Sequence, residues 1–308
     1  MPFCVGIDEN GLGPQLGPLI VTAIAARVTD DAAQRMASEP QRFLHSRLAD
    51  SKRIVSHGNT DIAEAWARAI VGDVETPLAL IRKLSLDTIE ALQSSCPREA
   101  LPQCWPSQRP FRTAEAHVNQ ARRDLADLRA LGVDIVWARC SITCVQGLNR
   151  ARRNNQGRFG VDLQAMEALL IAAREFANED VVASCGKIGG LMRYRNKFGL
   201  LSDYWCDVIT EQASESAYLL VGLGKVRFVR DAEERDPLVA LASLVGKWVR
   251  EVFMDHIVTF YRNGTPALPN ASGYHDCVTD KFVHQSKVLR ERLGIPDDCF
   301  LREESRKR

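Results

Sequence analysis

Two adjacent acids, Asp8 and Glu9, stand near the start of the chain in "VGIDENGLGPQLGPLIVTAIAA" (Val5 to Ala26), between a short apolar run and a turn built on Gly11 and Gly13. Two close carboxylates repel each other unless a proton or a cation sits between them, and oxygen-only donors suit Mg²⁺ or Mn²⁺. Successive strand side chains point to opposite faces, so the pair shares a site only where the strand ends and the glycines let the chain turn. A solvated strand end carries the same dipeptide, and the pair alone does not assign chemistry. Other chemistries find less support. "GLGPQLG" lacks the lysine and glycine spacing of a P-loop, and the histidines show no HxH or HxxxH spacing for zinc. Nine cysteines, at 4, 96, 104, 140, 144, 185, 206, 277 and 299, form no CxxC pair and read as reduced, mostly buried thiols.

The elements that must position the acids read as α/β. "FCVGID" and "GPLIVTAIAARV" read as two strands joined by a Gly/Pro-rich turn, a hairpin. Helical spacing follows over "TDDAAQRMASEPQRFLHSRLADSK" and "GNTDIAEAWARAIVGDV". Residues 94–112 hold four prolines and read as loop. "TAEAHVNQARRDLADLRALG" reads as a helix with Thr113 as N-cap and Gly132 as stop. "VDIVWARCSITCV" alternates as a strand, and the basic "RARRNNQGRFG" (Arg150 to Gly160) reads as an exposed connection. "DLQAMEALLIAAREFAN" is an amphipathic helix, "DVVASCG" a short buried strand, and "DPLVALASLVGKWVREVFMDHIVTFYRN" a long apolar-faced helix opened by a proline. No internal repeat is visible.

With 308 residues, 45% hydrophobic and 26% charged, the chain has the composition of an ordinary globular protein. No run approaches the roughly 18 apolar residues of a membrane span, and no secretion signal reads at the start, so the expectation is a cytoplasmic protein without membrane contact. A net charge of +1 argues against a protein that wraps nucleic acid, though not against a local basic groove. Lys187, Arg193, Arg195 and Lys197 form one such cluster.

The string "GIDENGLGPQLGP" resembles the opening motif of the type 2 ribonucleases H, ribonuclease HII and its relatives, usually GIDEAGRGPxxGP. "DSKR" (Asp50 to Arg53) is similar to that family's DSKK segment. "DPLVALASLVGKWVREVFM" is similar to its YPxVSAASILAKxxRDxxM helix, with Pro237, Ala242, Ser243 and Lys247 in register. "ASGYHDCVTDKFVHQSKVLRERLGIPDDCF" resembles its HKGYGTxxH segment. The resemblance implies a ribonuclease H-like fold, a mixed central sheet flanked by helices with a helical C-terminal part. It would span residues 1–260 with an insertion at about 60–130, followed by a C-terminal helical extension over 261–308.

It also implies divalent-metal-dependent endonucleolytic cleavage of RNA in RNA–DNA hybrids, with Mg²⁺ or Mn²⁺ as cofactor and a hybrid or other nucleic acid as partner. Of the family's four metal-holding acids, Asp8 and Glu9 match the first two. The fourth falls on Glu233 in "DAEERD", with Glu234 and Asp236 close by. The third falls on Cys185 or Gly186, neither a carboxylate. Either the site works with fewer ligands, another acid such as Asp162 or Asp180 reaches in, or catalysis is lost. The implied substrate contacts are Gly11, Leu12, Gly13, Lys52, Lys247 and Tyr274, with Leu12 standing where the family has the arginine that recognises a ribonucleotide 2′-hydroxyl. Two alternatives stay beside the nuclease: a nuclease-inactive hybrid-binding or partner-binding protein that keeps the fold, and a nuclease that does not read the 2′-hydroxyl.

Overall fold

A computed structural model describes residues 1–94, 96, 102–105 and 110–303. Two runs rich in β-branched and small apolar residues open the chain, β1 (Phe3–Asn10) and β2 (Leu19–Val28), and they pair antiparallel as the Gly/Pro turn between them requires. Helices α1 (Asp30–Ser38), α2 (Ser51–Ile54), α3 (Asp61–Val71), α4 (Pro77–Leu84), α5 (Ile89–Ser94) and α6 (Glu115–Ala130) follow. Then come β3 (Val133–Thr143), α7 (Val145–Arg153), α8 (Arg158–Ala177) and β4 (Val181–Gly186). Strands β5 (Cys206–Glu211), β6 (Glu215–Leu220) and β7 (Gly224–Val229) lead to α9 (Pro237–Gly264), α10 (Cys277–Gln285) and α11 (Lys287–Arg292).

The strands form one seven-stranded sheet in the order β3-β2-β1-β4-β7-β6-β5. β4 lies parallel to both β1 and β7, and every other neighbouring pair is antiparallel. The sheet is therefore mixed, as expected. Its two faces are read from alternation along β1. Phe3, Val5 and Ile7 pack with Met166, Leu169 and Leu170 of α8, whereas Cys4 joins Leu241, Val245 and Trp248 of α9 on the other face. Helix α9, capped by Asp236 and started by Pro237, is buried along most of its 28 residues and runs under the sheet centre. Its C-terminal half packs Met254, Val258 and Tyr261 against Leu16, Phe282 and Phe300, which brings residues 265–303 against the same helix.

Several local readings need correction. The α-helical pattern from Thr29 to Lys52 breaks after Ser38, because Pro40 has no N–H to continue the ladder; a 3₁₀ turn follows over Pro40–Arg42, and α-helix resumes only at Ser51. Ala114, not Thr113, is the N-cap of α6; the Thr113 N–H is instead taken by Glu64 Oε1 at 2.8 Å. Gly132 does end that segment, at φ +93°. The basic stretch 150–160 is mostly helical, with a turn only around Asn155, and its Arg153 pairs with Asp298 at 2.6 Å. Strands β5, β6 and β7 add a half-sheet that the patterning above leaves out. The loop reading for 94–112 falls partly outside the described residues. All nine cysteines are free, four of them buried, four partly buried and one exposed, so "mostly buried" overstates their burial.

One ion pair ties α9 to the segment after α2. His57 Nδ1 lies 3.0 Å from Glu251 Oε2, and this hydrogen bond holds the imidazole pKa above its ordinary 6.5, against the opposing effects of burial and of Arg250. A raised folded-state pKa means that the contribution to stability is full below the unfolded value and is lost as pH rises through the folded one. His57→Gln is expected to flatten the fall in melting temperature as pH rises above about 6.5. Parallel slopes for the variant and the wild type would refute this.

Candidate active site

The carboxyl ends of β1 and β4 define the site. Pairing between them stops at Ile7 and Cys185, so Asp8, Glu9 and Asn10 continue β1 with no neighbour on that side. The acids thus lie within the strand, paired with Thr22 and Val21, and not beyond its end as expected. They meet for a different reason. Asp8 points to the α9 face, where the Ser243 hydroxyl bonds it, and Glu9 points to the α8 face but can bend around the open edge. A Cβ placed on Gly186 would be 2.5 Å from Asp8 Oδ1 and 3.9 Å from Glu9 Oε2, so both carboxylates reach one small region. Glycine at 186 keeps that region clear.

The same glycine separates the two positions considered for a third acid. Gly186 faces Asp8, while Cys185 is fully buried among the α8-facing apolar residues, its thiol pKa pushed up by burial and by the charge of Asp162. Cys185 is therefore a core residue and does not approach the pair as a ligand. Asp180, exposed just before β4, lies at the strand's opposite end. Asp162 on α8 does come near, since its charge is the largest acting on Glu9 and that of Asp8 acts on it.

Glu233 sits in a single 3₁₀ turn between β7 and α9 and lines the same cleft, with Oε1 3.5 Å from Lys52 Nζ. Its charge raises the pKa of Asp8 and of Glu9. Its neighbours have other partners. Glu234 pairs with Arg53 at 3.8 Å, and Asp236 caps α9 by accepting from the Leu238 N–H at 2.9 Å. Burial is the main reason that Asp8 is held well above the usual carboxylate range and Glu9 is pushed up to about 8; repulsion adds to it, from Glu9 and Glu233 on Asp8 and from Asp162 and Glu233 on Glu9.

The cleft, about 430 Å³, is lined by Asp8, Glu9, Gly11, Leu12, Gly13, Lys52, Gly186, Glu233, Lys247 and Tyr274. Residues read from four separate motifs thus share one cavity. The motif segments are also tied together: Ser51 Oγ lies 2.9 Å from Ser243 Oγ, and Asn10 donates to the Ser243 carbonyl at 3.1 Å. Tyr274 is 40% exposed, with the Arg250 guanidinium 4.7 Å and the Lys247 ammonium 5.7 Å from its ring centroid. Lys187 also lines the cleft, its ammonium donating to the Gln212 carbonyl at 2.6 Å.

Sequence reading missed what holds the glycine turn. Arg302 is buried and donates to the Gly11 carbonyl at 2.5 Å and twice to that of Gly17, at 2.9 and 2.6 Å. Arg250 lies beneath Gly11, whose φ of +92° and lack of a Cβ permit the approach. Arg250 falls on the arginine of the KxxRDxxM pattern, though its contact with Gly11 is not readable there; no local pattern announces Arg302, which acts across more than 200 residues.

The sheet's antiparallel β1–β2–β3 meander, followed by the parallel pair β4 and β7, carries acids at the carboxyl end of β1. The fold is ribonuclease H-like. Solved structures similar to this ribonuclease H-like chain include a chain of the PCNA:RNase HII complex from Archaeoglobus fulgidus, at 15% identity and TM-score 0.48, covering 99% of this chain and 96% of that one. Bst-RNase HIII in complex with Mn²⁺ follows at 12% and 0.46, covering 97% and 66%. The ribonuclease H2 from Pyrococcus horikoshii OT3 aligns at 12% and 0.42, covering 97% and 92%. No protein-family model and no curated protein matches the chain. Among the described residues, no group of three or more His, Cys, Asp or Glu side chains stands arranged to hold a metal ion, and no helix is long and apolar enough to cross a membrane.

Proposed function

We propose that the chain is a divergent nuclease of the type 2 ribonuclease H kind that cleaves RNA in RNA–DNA hybrids with the help of Mg²⁺ or Mn²⁺. The observation that carries this reading is the meeting of Asp8, Glu9 and Glu233 with Lys52, Lys247 and Tyr274 in one cleft. The donor types suit a hard dication: the acids offer oxygen only, and burial and neighbouring acids raise the pKa of the two on β1 despite the opposing Ser243 hydrogen bond to Asp8 and the Lys52 charge near Glu9. Asp8, Glu9 and Glu233 would hold the metal, which supplies activation of water and stabilisation of the leaving oxygen. Lys52 and Lys247 stand at the rim of the acids, where an ammonium neutralises phosphate charge. The Gly11–Gly13 backbone and Tyr274 offer contacts for a sugar edge.

Leu12 changes what can be recognised. It brings no cation or hydrogen bond, so a single ribonucleotide within duplex DNA gains less from this turn than a continuous RNA strand with many 2′-hydroxyls. Cleavage of a continuous hybrid is expected to exceed cleavage of a duplex with one ribonucleotide by about tenfold or more, measured with Mn²⁺ and with Mg²⁺ at one salt concentration. Equal rates, or preference for the single ribonucleotide, would refute the assigned role of this turn. The bare Gly186 favours a second reading, a fold-keeping protein that binds hybrid without cutting it. Tight hybrid binding with no cleavage in either metal would select that reading over the nuclease.

A further inference from the structure

We propose that the outer half of the sheet is a two-fold dimer interface, with one face of β5, β6 and β7 packed against the same face of a second copy of this chain. On the α8 side of the sheet these strands bury Tyr218, Leu220, Val226 and Phe228. The other side differs. Pairing aligns Cys4, Val182, Lys225, Leu219 and Asp207 in one row across β1, β4, β7, β6 and β5, on the side away from α8. Helix α9 lies against β1 and β2, at the inner end of that row. Cys4 is accordingly buried, whereas Val182 is 39% and Leu219 43% exposed. One row along, Trp205 and Val221 are 72% and 60% exposed, joined by a bond from the Val221 N–H to the Trp205 carbonyl at 2.9 Å. The Trp205 indole N–H donates to Asp207 Oδ1 at 3.1 Å, which keeps the ring on the side of that carboxylate. Large apolar side chains gathered on one open face mark a surface that another protein covers.

Charge decides what covers it. Asp207 and Lys225, both exposed, flank Leu219 one strand away on either side, about 10 Å apart at ordinary strand spacing. They are too far apart to pair with each other, and among the described residues neither has an ion-pair partner. A row that reads acid, apolar, base is complementary to its own reverse. A two-fold axis running along β6, midway between two facing sheets, performs that reversal: Leu219 meets its own copy, and Asp207 stands opposite Lys225 of the partner subunit. An axis across the strands would set like charges opposite each other, so the charges select the first. Facing sheets pack about 10 Å apart with strands within about 30° of parallel, a gap that lysine and aspartate side chains bridge together. Association through the edge of β5 is less favoured, because the register shifts between Val208 and Thr210 and interrupts the backbone groups that a new strand would need.

The test is sedimentation equilibrium of the full chain up to about 200 μM, comparing wild type, Leu219→Asp, Asp207→Lys, Lys225→Asp and the double exchange Asp207→Lys with Lys225→Asp. Three short strands make a small interface, and the wild type is expected to dimerise with a Kd of about 10–100 μM. Leu219→Asp and each single exchange should weaken dimerisation by about tenfold or more, and the double exchange should recover most of that loss. All these positions are open to solvent, so the melting temperature should hold in every variant. A wild type that stays monomeric throughout would overturn the proposal and leave the face to an unlike partner. A dimer that none of the changes weakens would place the contact elsewhere and overturn it equally. A double exchange as weak as the single ones would refute the assigned pairing and the axis that it defines.

Discussion

Gly6→Ala is expected to leave little folded protein. A Cβ at this position would lie 2.3 Å from both the Leu238 carbonyl carbon and the Val239 nitrogen, at the first turn of α9. These are backbone atoms of a buried helix crossing a central strand, and neither can swing away as a side-chain end would. Overpacking of cores usually costs about 1–3 kcal/mol, and a backbone overlap between the two most central elements belongs at or above the top of that range. For domains with about 5–15 kcal/mol in total, such a loss is visible as a melting temperature lower by on the order of 10 °C, or as insoluble chain. Gly190→Ala is the control, since its Cβ would meet nothing within 4 Å. Similar melting of the two variants would mean that α9 does not press on β1 as described.

Asp8→Asn is expected to lower hybrid cleavage by at least about a hundredfold, or roughly 2.7 kcal/mol of transition-state stabilisation, while the protein stays folded. Asp8 is the acid on which the site converges, with Glu9 and Glu233 acting on it and Ser243 fixing it from α9. Asparagine keeps the shape and removes the charge, so repulsion within the cluster falls, and the metal-free melting temperature should hold or rise. Glu234→Gln, at a half-exposed acid paired with Arg53, should leave cleavage within about twofold. Equal losses in the two variants would place the chemistry elsewhere.

Much of this site was legible because local rules and tertiary demands coincide. The apolar runs of β1 and β2, the Gly/Pro turn and the Asp236–Pro237 helix start each have a local cause, and each forms as read. Motif register carried Glu233, Lys52, Lys247 and Tyr274 into one cleft, although no periodicity brings them together. What stayed hidden depends on long-range packing. Asp162 looks like any polar residue of an amphipathic helix until α8 is laid under β1. Arg302 lies 291 residues from the carbonyl of Gly11 that it binds. The choice between Cys185 and Gly186 turned on which face each takes, and only the register with β1 decides it. The edge strand β5 was missed because its middle residues are exposed, leaving no buried stripe to read.

The central claim is that the acids of β1 and of the turn before α9 form a divalent-metal centre facing nucleic acid. Anomalous diffraction from Mn²⁺ in crystals of the Asp8-containing chain, grown with an uncleavable RNA–DNA hybrid, tests it most directly. The account predicts anomalous peaks bounded by Asp8 and Glu9, with the hybrid's backbone lying along Lys52, Lys247 and Tyr274. A hybrid bound with no manganese peak beside Asp8 and Glu9, or one seated on another face of the sheet, would contradict it.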